Sequence, residues 1–170
     1  APGKTLQWLG EPQGEKSKVI RTMPNTLAMV GEGMTALCVN NLVTEEETQM
    51  AVELCNTFGK TEVVPEHLMD VVVGVSGSSP AYVFMFLEAM ADAAVADGMP
   101  RAQAYKFAAQ SVLGSAKLML ETGKHPGELK DMVCSPAGTT IQAVRVLEEK
   151  GLRSAVIEAQ TVCVKKAKGI

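Results

Sequence analysis

The chain has no run of basic residues longer than Lys165-Lys166, and its formal net charge is -3 over 170 residues. That excludes the electrostatic footprint that nucleic acid or an anionic membrane surface requires, so neither is expected as a partner. Histidine is scarce: only His67 and His125 are present, beside four widely spaced cysteines, Cys38, Cys55, Cys134 and Cys163. No zinc-ligand spacing forms from these, and no metal is expected. Cysteines so scattered fill apolar space in a reduced compartment rather than frame a disulfide scaffold, which places the protein in the cytoplasm. A basic and apolar leader is lacking, so secretion is not expected. Long hydrophobic runs are lacking too. The least charged stretch, VVVGVSGSSPAYVFMFL at residues 71–87, is interrupted by Gly, Ser and Pro and bounded by Asp70 and Glu88, which makes it a poor membrane span. Finally, no G-x-G-x-x-G follows a strand, and no general acid or base stands out from spacing alone. His125 before Pro126 reads as a loop or cap residue, Lys130 and Asp131 as a solvated helix face, and Cys134 has no histidine spaced to make it a nucleophile.

What is present is a hydrophobic content of 46% against 21% charged residues, enough for one substantial core or two small ones. Residues 1–64 alternate between short strands and a helix. VIRTM at 19–23 stops at Pro24-Asn25, TALCV at 35–39 is flanked by Gly33 and Asn40-Asn41, and TEVV at 61–64 stops at Pro65. Between the last two, Thr44 with Glu47 makes a capping box, Met50, Leu54 and Phe58 recur at helical spacing, and Gly59 reads as the helix stop. Strand, helix, strand predicts the edge of an α/β sheet. Residues 65–170 then read as all helix, with long helices over 81–97 and 101–122, each followed by Gly, and a last one from 153 to about 166. The fold class expected is mixed: a partial α/β unit followed by an all-α one. The chain opens on Ala1, on what looks like the middle of an α/β unit, so an upstream part is expected to be missing.

Between residues 81 and 96 the only charges are Glu88 and Asp92, four apart on one stripe. A helix apolar nearly all round is a buried helix. A helical region of about 100 residues seldom buries one completely by itself, so part of it is expected to meet a second copy of the chain.

Three stretches depart from this background. RTMPNT at 21–26 hands Asn25 to a strand end, where it either hydrogen-bonds a ligand or caps a turn. GVSGSSPAY at 74–82 opens the apolar helix with glycines and serines. It either offers N–H donors to an anion or is an ordinary start with Ser79 as N-cap. SPAGTT at 135–140 sets Ser135, Thr139 and Thr140 beside the start of another helix, a grouping that holds a carboxylate without any Arg or Lys in contact, or joins two helices.

Taken together and in this order, VIRTMPNT, EGMTALCVN, VVGVSGSSPAYVFMFLEAMADAAV, GMPRAQAY, GKHPGELKDMVCSPAGTTIQAVRVLEEKG and LRSAVIEA at 152–159 resemble the pyrroline-5-carboxylate reductase family, over residues 1 to 166. The resemblance implies an NAD(P)H-dependent reductase with a Rossmann domain and a helical domain through which two chains form a homodimer, in some members assembled further into rings. Residues 1–64 then correspond to the C-terminal portion of the dinucleotide-binding domain and 65–170 to the helical dimerisation and substrate-binding domain. The implied reaction is hydride transfer from the nicotinamide of NADPH or NADH to the C=N bond of pyrroline-5-carboxylate, giving proline. Carried over, Val133, Ser135, Ala137, Gly138, Thr139 and Thr140 look like substrate contacts. The N–H groups from Ala137 to Thr139 face the carboxylate, and Thr140, the catalytic candidate, lies near the ring nitrogen. Met23, Pro24 and Asn25 look like cofactor contacts, and Ser76, Gly77 and Ser78 like part of the wall between the two ligands.

The chain departs from the family in lacking the glycine-rich phosphate loop, in Leu27 where Pro is usual, and in Ala137 where Gly is usual. A 3-hydroxyacid dehydrogenase relative shares the layout but requires a Lys on the helix at 81–96, and none is there. A non-catalytic helical dimerisation module is the other alternative. For Ala137 the sequence predicts a negative φ, because Pro136 fixes its own φ near helical values and Gly138 remains to absorb a left-handed turn. A positive φ there would count as loss of the substrate site.

Overall fold

The computed structural model describes residues 3–14 and 17–170. The described residues up to Ala81, together with Glu158–Ile170, form one compact unit, and Tyr82–Ile157 form another. The boundary expected between residues 64 and 65 lies inside the first unit.

In the first unit the order is α1 (Leu6–Gly10), β1 (Ile20–Met23), β2 (Gly33–Val39), α2 (Glu45–Asn56), β3 (Gly59–Val63) and α3 (Met69–Val72), with short 3-10 turns between. The strands form one sheet in the order β1-β2-β3. β1 runs antiparallel to β2 with Arg21 opposite Cys38, and β2 runs parallel to β3 with Gly33 opposite Gly59. A parallel pair needs a crossover, and α2 supplies it, lying against β2 and β3. The expected capping box is formed: the Glu47 N–H donates to Thr44 Oγ1 at 3.2 Å, and the Thr44 N–H to Glu47 Oε2 at 2.9 Å. Gly59 is not the helix stop. α2 ends at Asn56, and Gly59 opens β3, where the parallel ladder begins.

β2 is buried from Thr35 through Cys38, as a strand covered on both faces must be. Ala36 and Cys38 pack with Met69 and with Leu6, Met23, Val64 and Val72. Thr35 and Leu37, alternating with them, point to the opposite face. Burial pushes the Cys38 thiol up from its ordinary pKa, in keeping with cysteine as core filling.

After β3 the described residues form only helices. The Gly-Ser-Pro interruption expected to break the run does not do so. α3 passes through a π-helical turn, Val73–Gly77, into α4 (Ser79–Ala96), and the run Glu66–Ala96 is long and apolar enough, by length and composition alone, to cross a membrane. α5 (Arg101–Thr122), α6 (Pro126–Val133), α7 (Thr139–Glu149) and α8 (Leu152–Ala167) follow. The second unit holds the helical chain from Tyr82 to Ile157, and α8 returns to the first unit from Glu158 onward. Among the second unit's described residues the buried side chains are Ala91, Ala104 and Ala108. Phe84, Met85, Phe107 and Leu120 are exposed, so within a single chain α4 is not the buried helix its composition predicts.

Candidate functional site

Asn25 stands where β1 ends, and both ends of its amide are engaged. Nδ2 donates to the Ser76 carbonyl at 3.1 Å, and Oδ1 accepts the Met34 N–H at 3.1 Å. It therefore ties the strand end to the π turn and to the first residues of β2. The sequence left it as ligand contact or turn cap; its side chain caps no helix, and within the chain its amide is committed to two long-range bonds.

The serines of the π turn are similarly spent. The Ser78 N–H donates to the Val73 carbonyl at 2.8 Å, a span of five residues that defines the π turn. Ser76 Oγ donates to Val72 O at 3.3 Å, Ser79 Oγ to Val75 O at 2.6 Å, and the Cys163 thiol of α8 to Ser78 Oγ at 3.1 Å. Two expectations fall here. Ser79 is not an N-cap, and GVSGSS does not open a helix with free N–H groups, because the preceding helix continues through it and its carbonyls accept those donors.

A residue the sequence reading missed is Arg21. It is 6% exposed in β1 and lies 3.7 Å from Glu66 Oε1 and 3.9 Å from Asp70 Oδ1. Its Nε and Nη2 and Asp70 Oδ1 have no hydrogen-bond partner, while Glu66 also accepts the Leu6 N–H. An Arg in a strand otherwise read for its apolar residues gives no signal of burial until the acidic pair four apart at 66 and 70 is set beside it.

In the second unit α6 ends at Val133 with Cys134 as its C-cap, and Ser135, Pro136, Ala137 and Gly138 make a tight turn closed by the Gly138 N–H on the Ser135 carbonyl at 3.0 Å. Ala137 has φ +57°. The expectation of a negative φ is wrong. A turn with Pro at its second position and positive φ at its third is type II, and Pro136 at a φ near -65° suits type II as well as type I. Gly138, assigned the left-handed role, has φ -74° and serves as N-cap of α7.

The same turn corrects the donor set. Of the N–H groups from Ala137 to Thr139, that of Gly138 is used inside the turn. No side chain caps α7, which leaves the N–H groups of Thr139 and Thr140 at the helix start without a partner, at the positive end of the helix dipole. Ser135 Oγ lies over Gly138, where a Cβ on Gly138 would come within 2.3 Å of it. Thr140 and Gly138 are half-buried; Val133, Ser135, Ala137 and Thr139 are exposed. The positive φ at Ala137 meets the condition set for a lost site, but that condition joined two separable things. The sign of φ is set by the turn type, whereas the donors belong to α7, and they remain open. What the arrangement can do is bind a carboxylate through two backbone N–H groups and the Ser135 hydroxyl.

The neighbouring charges are paired with one another. Lys130 is held to Asp131 at 2.6 Å, which raises the Lys130 pKa chiefly through that hydrogen bond, and Arg153 is held to Glu148 at 2.7 Å.

Residues 66–170 match the family model described as pyrroline-5-carboxylate reductase dimerisation. The chain belongs to the pyrroline-5-carboxylate reductase family. It is 64% identical over 167 residues to the pyrroline-5-carboxylate reductase of Escherichia coli K12, covering 98% of this chain and 62% of that protein, and 40% identical over 168 residues to that of Glycine max, covering 99% and 61%. Among solved structures, the Coxiella burnetii pyrroline-5-carboxylate reductase matches with a TM-score of 0.94 at 36% identity, over 98% of this chain and 62% of that one. The Plasmodium falciparum pyrroline carboxylate reductase with NADP bound matches with a TM-score of 0.90 at 30% identity, over 99% and 68%. The chain thus spans about three fifths of the length of the curated relatives it matches. A 3-hydroxyacid dehydrogenase relationship is set aside by this membership.

Proposed function

We propose that this chain supplies the substrate-binding and dimerisation part of a pyrroline-5-carboxylate reductase, an NAD(P)H-dependent oxidoreductase that reduces the C=N bond of pyrroline-5-carboxylate to give proline. The observation that carries the reading is the uncapped start of α7 beside Ser135, in a chain of this family. In this reading the substrate carboxylate takes the N–H groups of Thr139 and Thr140 and the Ser135 hydroxyl. The Thr140 hydroxyl meets the ring nitrogen, and Val133, Ala137 and Gly138 line the turn. Residues 65–170 are the helical dimerisation and substrate-binding part, and residues 1–64 the C-terminal portion of a dinucleotide-binding domain.

The cofactor fits this chain only in part. Its diphosphate needs free N–H groups at a helix start after a sheet strand, and α2, the helix in that position, is closed by its own capping box and carries Glu45, Glu46 and Glu47 in its first turn. Three carboxylates repel a phosphate. Met23, Pro24, Asn25, Ser76, Gly77 and Ser78 remain as peripheral contacts for NADPH or NADH, too few to hold the cofactor by themselves. The same observation favours a second reading, a helical assembly module without turnover of its own.

Dimerisation follows from the second unit. With three alanines as its buried side chains it cannot hold about 75 residues folded by its own core, and a second copy of the chain covers the apolar surface of α4 and α5. Glu88 and Asp92 on α4 argue for a protein partner over lipid, where each charge would be costly. Four thiols without a disulfide, two of them buried, accord with the cytoplasm.

Calorimetric titration tests the reading. L-Proline binds the chain, Thr140→Ala weakens that binding about tenfold or more with little change in melting temperature, and NADPH binds poorly. Unchanged proline affinity in Thr140→Ala returns Thr140 to the fold, and tight NADPH binding overturns the account of α2. Association of the chain without any proline binding selects the assembly module.

A further inference from the structure

α6 is eight residues long, buries none of them, and is followed at once by the turn that carries the open α7 donors. A helix this short gets little from propagation, so its ends matter more than those of α4 or α5. Its C-terminal end has one bond, the Cys134 N–H on the Asp131 carbonyl at 3.0 Å. Its N-terminal end is capped by an unusual residue. His125 adopts extended backbone (φ -60°, ψ 133°) before Pro126, and its imidazole Nδ1 accepts the Gly127 N–H at 3.1 Å. The site is shaped around the ring: a Cβ on Gly127 would lie 3.0 Å from Nδ1 and 3.3 Å from Cε1. The charged residues closest to the cap in sequence are Lys124, paired with Glu128 at 2.6 Å, and Glu121 at the end of α5, paired with Lys117 at 3.6 Å. Neither pair leaves a free carboxylate to compensate a charged imidazole.

An imidazole accepts at Nδ1 only while that nitrogen carries no proton. Protonation turns the acceptor into a donor facing a donor, and places a positive charge at the positive end of a helix. We propose that His125 is a positioning residue for the Ser135–Thr140 turn: its uncharged imidazole caps α6 and so holds the far end of that helix, and the turn that presents the Thr139 and Thr140 N–H groups. The bearing of this on substrate rests on the carboxylate reading above; the positioning itself does not.

Hydrogen exchange on the whole chain, at fixed protein concentration, reads it without reference to activity. The amides that report are Gly127 at the cap, Cys134 at the end of α6 and Gly138 inside the turn. In the unsubstituted protein, protection of all three is about fivefold lower at about pH 5 than at about pH 8, as expected for loss of one cap. His125→Asn keeps an uncharged acceptor, so protection stays high and independent of pH. His125→Ala has no acceptor and is low at both. Protection that does not change with pH, or a change confined to Gly127 with Cys134 and Gly138 unaffected, overturns the proposal, as does a pH dependence that survives in His125→Asn. L-Proline affinity measured alongside separates the two claims. If the exchange pattern holds and proline does not bind at any pH, the carboxylate reading fails and the positioning stands.

Discussion

Replacing Ala137 by Gly isolates the strain in the turn. At φ +57° the alanine methyl meets its own backbone, which costs roughly 1–2 kcal/mol relative to the right-handed conformation, a cost glycine lacks. Glycine in turn gains freedom in the unfolded chain, worth about 0.4–1 kcal/mol against the folded state. The difference leaves Ala137→Gly more stable by about 0.8 kcal/mol, a rise of about 2–3 °C in melting temperature for a chain of this length. Gly138→Ala should go the other way for a different reason. Its φ of -74° suits any residue, but the new Cβ would stand 2.3 Å from Ser135 Oγ and 3.1 Å from the Ser135 carbonyl. Such overpacking costs about 1–3 kcal/mol. The hydroxyl can rotate away and the carbonyl cannot, so in a Ser135→Ala background the cost of Gly138→Ala shrinks without vanishing. The unsubstituted protein and the four variants are compared by thermal and urea unfolding at one concentration, since association shifts both. A melting temperature lowered by Ala137→Gly, with Gly138→Ala neutral, would refute the type II turn.

Asn25→Ala loses two part-buried hydrogen bonds at once and should cost about 1–3 kcal/mol in urea unfolding; a change below about 0.5 kcal/mol would show that the strand end is held elsewhere. Glu66→Ala should destabilise more than Asp70→Ala, because Glu66 holds both Arg21 and the Leu6 N–H, and equal losses would remove α1 from that network. The Glu47 carboxyl is held below the ordinary carboxylate range, chiefly by its hydrogen bond to Lys18. A depressed folded-state pKa gives stability that is present above the unfolded pKa and is lost as pH falls through the folded one, so Glu47→Gln should flatten the acid limb of a stability profile below about pH 5. The chain should scatter light as a dimer or larger and melt at temperatures that rise with protein concentration; a concentration-independent melt of a monomer would remove the case for a second copy.

The three strands and α2 were legible because each carries local punctuation: Pro24 and Pro65 end strands, and Thr44 with Glu47 writes a helix start into four residues. The C-terminal ends of the long helices after Pro65 were legible for the same reason, with Gly98 and Gly123 left-handed just past them. The π turn was not. Gly, Ser and Pro at 74–80 look like a break when scored one residue at a time, but serines can also bond back to carbonyls of the preceding turn, and a helix already under way supplies those carbonyls. Arg21 escaped for want of long-range information, since its acids lie some 45 residues on. At Ala137 the residues were read correctly and the turn type wrongly: Pro136 admits two types, and the choice between them is made by which following residue turns left.

The least legible quantity was where the apolar surface goes. Periodicity reports that a face is apolar, and it reports the same whether the face meets another helix of the chain or another chain. In the first unit the two coincide, because β2 is covered on both sides and Ala36, Cys38 and Met69 close a core. In the second they part. Ala91, Ala104 and Ala108 disappear from solvent, while Phe84, Met85, Phe107 and Leu120 stay outside. A chain that buries its smallest side chains and exposes its largest has placed its internal contacts where little free energy is gained, since burial stabilises in proportion to area. The remaining area is the larger share, and only a surface supplied from outside this unit can remove it from water.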